Sequence, residues 1–235
     1  MDNLVFCHAP DIENIIANDL REFFISDVKF NELFPNDQIK VSTDHPFVQL
    51  MNQEISEGEK YDLSAFPSVT VVDTNFSKLI ETPVVPQAIK VKKAILDEIK
   101  TGGRDQFIMS KQALLSLEAA FSEKEELSGE GYETFRKTQI AIEIWAGNNL
   151  LKGKIFDLVS LYLIGSRRFN LHNNKNTTIE EETITGERSG IYNFDFGEIL
   201  YGGIIRFDVG YKVGFYSLKD MILGGGISIQ NNSII

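Results

Sequence analysis

The sequence predicts an α+β protein in which a mixed, mostly antiparallel β-sheet is flanked by helices on one face and carries a helical insertion. Three observations lead to this prediction. Between residues 138 and 165 the apolar pattern changes from a period of two to a period near four. Strict alternation returns at residues 203–216, and an amphipathic pattern starts at residue 11. Elements of these two kinds bury their apolar faces by packing on each other.

The central pattern is a strand followed by a helix. In residues 138–146 the isoleucines from Ile140 to Ile144 share one face of an extended chain. Gly147-Asn148-Asn149 then break the strand, and residues 150–164 carry apolar side chains at steps of three and four. A strand and a helix joined in this way need further strands beside them to bury both elements.

The N-terminal third predicts one helix and one strand. Asp11 precedes a series of apolar residues spaced three and four apart, so we expect it to cap an amphipathic helix that ends near residues 26–30. Residues 49–59 form either a short helix or a loop. Pro67–Asp73 is apolar or β-branched on both faces, which is typical of a strand inside a sheet.

Residues 74–137 are predicted to form the helical insertion between two strands of the sheet. The apolar spacing predicts one helix at Gln87–Lys100, which ends before Gly102, and a second at Ser110–Leu127. The segment is either part of one α+β domain or a lobe of its own. The predicted organisation is therefore residues 1–73, the insertion at 74–137, and residues 138–235.

The C-terminal region predicts a loop, a hairpin and a tail. Residues 169–190 are polar and without period, as in a long loop. The alternating stretch at Gly203–Tyr216 places Ile205 to Phe215 on the face that packs on the helices, and Gly197-Glu198 is the expected bend of a hairpin with residues 190–196. Gly224–Gly226 is an expected hinge before a β-prone tail, which either pairs with the sheet edge of a neighbouring subunit or frays.

Composition excludes several classes of protein. The 235 residues carry a formal net charge of −11, which argues against wrapping a nucleic-acid backbone. Acidity of this kind serves solubility or lines a passage that repels DNA. Cys7 is the single cysteine, so no internal disulfide is possible, and neither a signal peptide nor a membrane span is predicted. We therefore expect a protein that stays in a cytoplasm or is released with something assembled there.

The residue types that usually carry catalysis form no recognisable set. His8, His45 and His172 are far apart in sequence, and the chain lacks both a Gly-x-Ser-x-Gly elbow and a complete phosphate-binding glycine motif. His45 beside Asp44 is either a ligand or base, or a turn residue with local hydrogen bonds. Cys7 next to His8 fits a partly buried cysteine better than a nucleophile. We predict no enzymatic activity, no catalytic residue, no cofactor and no metal.

The sequence offers instead side chains suited to association. Arg167-Arg168 form a small basic spot after the central helix, and Glu180–Glu182 an acidic run in the loop. The hairpin adds aromatic residues and the tail adds isoleucines. The expected oligomer or partner contacts are Arg167, Arg168, Glu180, Glu181, Glu182, Tyr192, Phe194, Tyr201, Ile227 and Ile229.

The order of elements resembles the tail terminator family of bacteriophages, small proteins that cap the head-proximal end of a tail tube. The matching residues are Gln139–Asn149, Leu150–Val159 and Leu200–Val209. The resemblance implies a homo-oligomeric ring, typically a hexamer, that stops tube growth and contacts the tail tube protein and a neck or head-completion protein. DNA would pass through its lumen without specific binding. The protein would reside in the virion, assembled in the host cytoplasm, and have no membrane partner.

Two alternatives stay open. The chain is longer than members of the family because of residues 74–137, so another neck, connector or baseplate component also fits. A different class of function is also possible: a small enzyme or ligand-binding module that uses His45 and nearby carboxylates. In that case the substitution His45→Ala should abolish an activity and leave the fold intact.

Overall fold

The computed structural model describes residues 4–35, 37–51, 63–74, 78–79, 86–101, 107–166, 177–193 and 199–218. Two helices are extended by π-helical turns at Phe23–Asp27 and Tyr162–Ser166. The helices are α1 (Ile12–Glu22), α2 (Phe30–Leu33), α3 (Pro46–Met51), α4 (Ile95–Thr101), α5 (Lys111–Glu123) and α6 (Asn149–Leu161). The strands are β1 (Leu4–His8), β2 (Lys40–Ser42), β3 (Ser68–Asp73), β4 (Lys78–Leu79), β5 (Gln87–Lys92), β6 (Phe107–Ile108), β7 (Glu126–Ala146), β8 (Thr177–Asn193) and β9 (Ile199–Leu218).

The predicted α+β class is confirmed. Helices and strands are both abundant, and the sheet is mostly antiparallel, with β2 and β3 as a parallel pair. The chain divides into two compact units. The larger unit consists of residues 11–81 and 135–212, and the smaller unit of residues 1–10, 82–134 and 213–235.

The larger unit contains α1, α6 and the strand order β2-β3-β7-β9, with β8 beside β9. Alternate residues of three strands, such as Val71, Ile142 and Phe207, are fully buried and point to the face on which the helices pack. Asp19 of α1 accepts a hydrogen bond of 2.9 Å from the Tyr162 hydroxyl within this core. The isoleucine face of the central strand therefore packs against the helices in the larger core, as the sequence predicts.

The smaller unit is built from short pieces of three separate parts of the chain. β1 pairs with β6 and with the end of β9, and β5 pairs with the first residues of β7. Its core joins residues from all three parts, and α4 and α5 contribute Leu96, Leu117 and Phe121. The core residues are Phe6, Val91, Leu96, Phe107, Leu117, Phe121, Leu127 and Leu218.

Most predicted elements of the larger unit are confirmed. Asp11 accepts a hydrogen bond from the Asn14 amide at 3.1 Å and caps α1, which ends in the turn after Glu22. The strand predicted at Pro67–Asp73 is β3, and the central helix is α6. β8 and β9 pair as the predicted hairpin, and the bend predicted at Gly197-Glu198 falls outside the described residues.

Two predictions for residues 74–137 are wrong in part, because the predicted helices are confirmed only at Ile95–Thr101 (α4) and Lys111–Glu123 (α5). Residues 87–92 form β5, because Ile89 and Val91 alternate with lysines and Val91 is buried against the smaller core. Residues 126–137 are strand, so the predicted second helix ends at Glu123, although Ser110 does cap it. Gly129 here allows close strand contact, since a Cβ atom would stand 2.4 Å from the Ser217 carbonyl oxygen.

Two predictions for the C-terminal region are also wrong. Residues 177–190 were expected in a loop, yet they belong to β8, because the long β9 supplies backbone partners that local sequence does not reveal. Phe215 was expected on the buried face, yet its side chain is 41% exposed. Ile205, Phe207 and Val209 do occupy the buried face.

Candidate assembly surface and the His45 cleft

The solvent face of α6 carries exposed apolar side chains near both of its ends, with the exposed Lys154 and Asp157 between them. Asn148 caps this helix by accepting a hydrogen bond from the Leu151 amide at 2.7 Å, and its buried side packs in the larger core. On the opposite side Leu150 is 74% exposed, Leu161 62%, and Ile164 of the following turn 57%. Exposed apolar side chains that share one helix face are typical of a surface that contacts another protein.

β8 runs beside this helix and forms an edge of the described sheet. Its antiparallel pairing with β9 extends from Thr177 to Asn193, with register shifts after Glu180 and after Glu187. Among the described strands β8 pairs with β9 alone. A strand in this position presents backbone donors and acceptors to a further strand, and bulges and acidic side chains restrict which strand can add.

A groove of about 590 Å³ lies between α6 and β8. Arg188 fixes the two elements together, because its guanidinium lies 4.7 Å from the centre of the Phe156 ring and also pairs with the Asp157 carboxylate. At Gly186 a Cβ atom would stand 2.7 Å from that ring, so the absence of a side chain keeps this wall open. The groove is lined by Phe156, Ser160, Ile164, Ile184, Gly186, Glu187, Arg188 and Ile205.

A second, smaller cleft lies on the other face of the central strand. The His45 ring nitrogen Nε2 lies 2.9 Å from Glu143 Oε2, and the Trp145 indole donates to the same oxygen at 3.4 Å. Phe47 packs edge-on against Trp145 at 4.8 Å. The adjoining cleft of about 200 Å³ is lined by Glu143, Trp145, Glu187, Gly190, Gly202, Gly203, Ile204 and Arg206.

The Glu143 carboxylate is therefore held next to His45, and the charged residues Glu187 and Arg206 line the same cleft. Glu143 and His45 are both partly exposed, so solvent reaches the pair. Gly202 lets the indole approach the strand, since a Cβ atom there would stand 2.8 Å from the Trp145 ring. The chemistry available at the cleft is hydrogen bonding and charge recognition. In the described part of the chain no three His, Cys, Asp or Glu residues are grouped to hold a metal.

Four of the ten predicted contact residues lie in β8 and one in β9. Glu180, Glu181 and Tyr192 are strand residues of β8, and Glu182 is exposed there. Tyr201 is half-buried in β9 opposite Ile191. The remaining predicted contacts lie outside the described residues: Arg167, Arg168, Phe194, Ile227 and Ile229.

The histidines and the cysteine are not brought into one site by the described residues. His8 is buried in β1 with its ring 5.0 Å from that of Phe107, and Cys7 precedes it in the same strand. Successive strand residues point to opposite faces, so the thiol and the imidazole do not face each other. His172 lies outside the described residues.

Sequence reasoning missed two features of these surfaces. Leu150, Leu161 and Ile164 lie within the apolar pattern of the central helix, and only packing shows which of its apolar residues face solvent. Glu143 was placed on the strand face opposite the isoleucines, but its pairing with His45 joins residues far apart in sequence. A carboxylate inside an otherwise apolar strand was the available signal.

No helix in the described ranges is long and apolar enough to cross a membrane. No protein family model matches this chain, and no curated protein matches it. Function must therefore be inferred from the residues and their geometry.

Proposed function

We propose that this protein is a structural component of a bacteriophage tail that forms a homo-oligomeric ring of the tail terminator type. In this role it caps the head-proximal end of the tail tube and joins it to the neck. The observation that supports the proposal best is the set of exposed apolar side chains on and after α6 next to the edge that β8 forms among the described strands. The resemblance of Gln139–Asn149 and the following helix to that family supplies the virion context.

The energetics of the α6 surface favour assembly. Leu150, Leu161 and Ile164 expose more than half of their side-chain surface in the single chain. Removing such a side chain from water contributes about 1.5–3 kcal/mol when burial is complete. A contact that covers all three gives each junction in a ring a substantial apolar component, while the acidic and basic groups around them set its orientation.

The charge of the protein suits a conduit for DNA. A net charge of −11 per copy adds up around a ring. Acidic groups facing the lumen would repel phosphates, so DNA would pass without specific binding. The expected protein partners are further copies of the chain, the tail tube protein, and a neck or head-completion protein.

The oligomeric state tests the first part of the proposal. We expect mass photometry of the purified protein, alone and with tail tubes as template, to detect a hexameric ring. Leu161→Glu places a charge in the proposed contact and should weaken assembly at least tenfold. Ile25→Glu is the matched control, because Ile25 is 63% exposed but lies in the turn after α1.

Two results would contradict ring formation through α6. One is a chain that stays monomeric even with tail tubes present. The other is equal loss of assembly in the Leu161 and Ile25 variants, which would indicate a general effect of added charge. Circular dichroism of both variants should match the parent chain, because neither side chain belongs to the core.

The position in the virion is tested separately. Tails assembled without this protein should form tubes of uncontrolled length or fail to join heads, as seen by negative-stain electron microscopy. Labelled protein should decorate the head-proximal end. Label at the distal end would favour a baseplate component, and tubes of normal length that lack only heads would favour another neck or connector protein.

The cleft at His45 supports a second candidate function, a ligand-binding module or small enzyme. Its specific observation is the Glu143 carboxylate held by both His45 and Trp145 at the mouth of a cleft that also contains Arg206. His45→Ala should then abolish ligand binding or turnover and leave the fold intact. Loss of assembly without any lost ligand binding would favour the structural role.

A further inference from the structure

We infer that the C-terminal segment Gly226–Ile235 of one copy adds as a strand to the free edge of β8 in the next copy. In this position its isoleucines enter the groove between α6 and β8. The inference deepens the proposed function and rests on the protein forming a homo-oligomer. It assigns a specific occupant to an edge at which β8 has no further strand partner among the described residues.

The receiving surface has two properties that suit an extended segment. β8 is 17 residues long and, among the described strands, pairs on one side with β9. The next strand of a sheet lies about 4.8 Å away, so an added segment would run directly along this edge. Main-chain hydrogen bonds supply affinity in strand addition, and pockets for alternate side chains supply specificity.

The groove supplies those pockets. Ile184, Gly186 and Arg188 alternate along β8, and all three line the groove. Ile164 faces them from the end of α6 and is 57% exposed. Side chains that point toward α6 from an added strand would therefore meet Phe156, Ile164 and Ile184, beside the polar Ser160, Glu187 and Arg188 that also line the groove. Those that point away would meet solvent.

The tail has the complementary pattern. Ile227 and Ile229 alternate with Ser228 and Gln230, so a strand would direct both isoleucines to one face and both polar residues to the other. The residues between β9 and this segment, 219–225, can extend about 24 Å.

Charge also selects this segment. β8 contains Glu180–Glu182 and Glu187, and each copy of the chain is strongly acidic. Residues 221–235 contain no Asp, Glu, Lys or Arg side chain. A segment that carried Asp or Glu would bring further acidic groups to this edge, whereas this one adds no side-chain repulsion.

The geometry of a ring explains why the segment comes from a second copy. The tail and the β8 edge are different surfaces, so their contact is heterologous, and each copy donates one surface and receives the other. A heterologous contact closes into a ring when the rotation between neighbours permits. The contact thus accounts for a closed oligomer without requiring a self-complementary patch.

Complementation between two damaged full-length chains tests this contact. In the tail variant Ile227→Asp and Ile229→Asp place two charges in the segment, and in the groove variant Ile164→Glu damages the receiving surface. We expect each variant alone to be monomeric by mass photometry. Mixed together they should form heterodimers, because the groove variant still has an intact tail and the tail variant an intact groove.

The control is Ile25→Glu, since Ile25 is 63% exposed and also lies in a π-helical turn that follows a helix. This variant should assemble like the parent chain. Mixtures without heterodimers would overturn the inference, as would a tail variant that assembles normally. Occupation of the groove by the tail of the same copy predicts the first of these outcomes.

A peptide of residues 219–235 separates failure of this inference from failure of the proposed function. We expect fluorescence anisotropy to detect binding of the labelled peptide to the tail variant, with at least a tenfold higher dissociation constant for a chain that also carries Ile164→Glu. If the peptide binds but the parent chain forms no rings, the contact between tail and groove stands and the proposed ring is wrong. Rings without peptide binding would retain the ring and overturn the contact.

Discussion

The two units of this protein differ in how their cores are assembled from the sequence. The larger core is built on elements that each carry a complete apolar face, such as α1, α6 and the second half of β7. The smaller core consists of one or two residues from each of many short elements, among them Phe6, Val91 and Phe107. A core made from long periodic elements can be predicted from the sequence, whereas a core made from single residues of many short elements cannot.

The largest expected effect comes from emptying either core. Phe207 in the larger unit and Phe121 in the smaller are both almost completely buried. Replacement of a buried phenylalanine by alanine costs about 3–5 kcal/mol, because apolar contact is lost and a cavity is left. Chemical denaturation should show a loss of this size for Phe207→Ala, and hydrogen exchange should accelerate in α6.

Phe121→Ala sharpens the comparison between the units. If they open as separate cooperative units, amide exchange should accelerate in α5 and β5 while α6 remains protected. Equal acceleration in α5 and α6 would show that the two cores unfold as one. Ile25→Ala is the control for both variants, since Ile25 lies at the surface.

The next largest effect is expected at a glycine of the smaller unit. Gly129→Ala would place a methyl group 2.4 Å from the Ser217 carbonyl oxygen, and a backbone atom cannot move aside cheaply. Overpacking of this kind costs about 1–3 kcal/mol. Thermal unfolding should detect the loss.

Gly147→Ala serves as its counterpart in the larger unit, because a Cβ atom there meets nothing within 4 Å. We expect its melting temperature to stay close to that of the parent chain. Equal melting temperatures for the two variants would mean that the strands near Gly129 are farther apart than the structure shows.

The loss of a helix cap is expected to cost less stability, and the expected costs in the two units are similar. Asn148→Ala removes the acceptor for the Leu151 amide at 2.7 Å, and Ser110→Ala removes the acceptor for the Ala113 amide at 3.0 Å. Loss of such a cap costs about 1 kcal/mol. We expect the Asn148 substitution to cost at least as much, because its hydrogen bond is partly buried and that of Ser110 is exposed.

Urea denaturation of both cap variants provides the measurement. The conservative substitutions Asn148→Asp and Ser110→Thr retain an acceptor oxygen and should restore most of the lost stability. A larger loss at Ser110 than at Asn148 would contradict the expected order.

The smallest expected effect is specific to alkaline pH. Burial raises the pKa of Tyr216 in the smaller unit, and its 2.8 Å hydrogen bond to Glu133 raises it further. The unfolded chain loses this proton near pH 10 while the folded chain keeps it. Stability from this group is therefore complete below about pH 10 and falls as the pH rises above it.

Tyr216→Phe should remove part of that fall, because phenylalanine keeps the stacking on Phe6 at 5.0 Å and has no proton to lose. Denaturation at pH 8 and pH 11 measures the difference. Burial also raises the pKa of Tyr211 in the larger unit, so a residual decline should remain. An unchanged pH dependence in the Tyr216 variant would show that the hydroxyl titrates normally.

As with the cores, only some features of the candidate surfaces could be predicted from the sequence. The sequence predicted contacts at the acidic run now found in β8 and at Tyr201 of β9, and it named His45, which pairs with Glu143, as either a ligand or base or a turn residue. It could not identify Glu143 as the partner of His45, because 98 positions separate them. Residues 177–190 were misassigned for a related reason, since their strand conformation depends on hydrogen bonds to β9.

What the sequence by itself determined is the α+β class and the elements with a complete period: the capped helix α1, the strand β3, the isoleucine face of β7, and the helix α6. In these stretches the spacing of apolar side chains and a capping residue favour one local conformation. Only the tertiary structure decided that residues 87–92 and 126–137 are strands, that β8 forms an edge, and that Leu161 and Ile164 face solvent. Strand pairing and exposure depend on backbone groups and side chains contributed from elsewhere in the chain, so no local pattern specifies them.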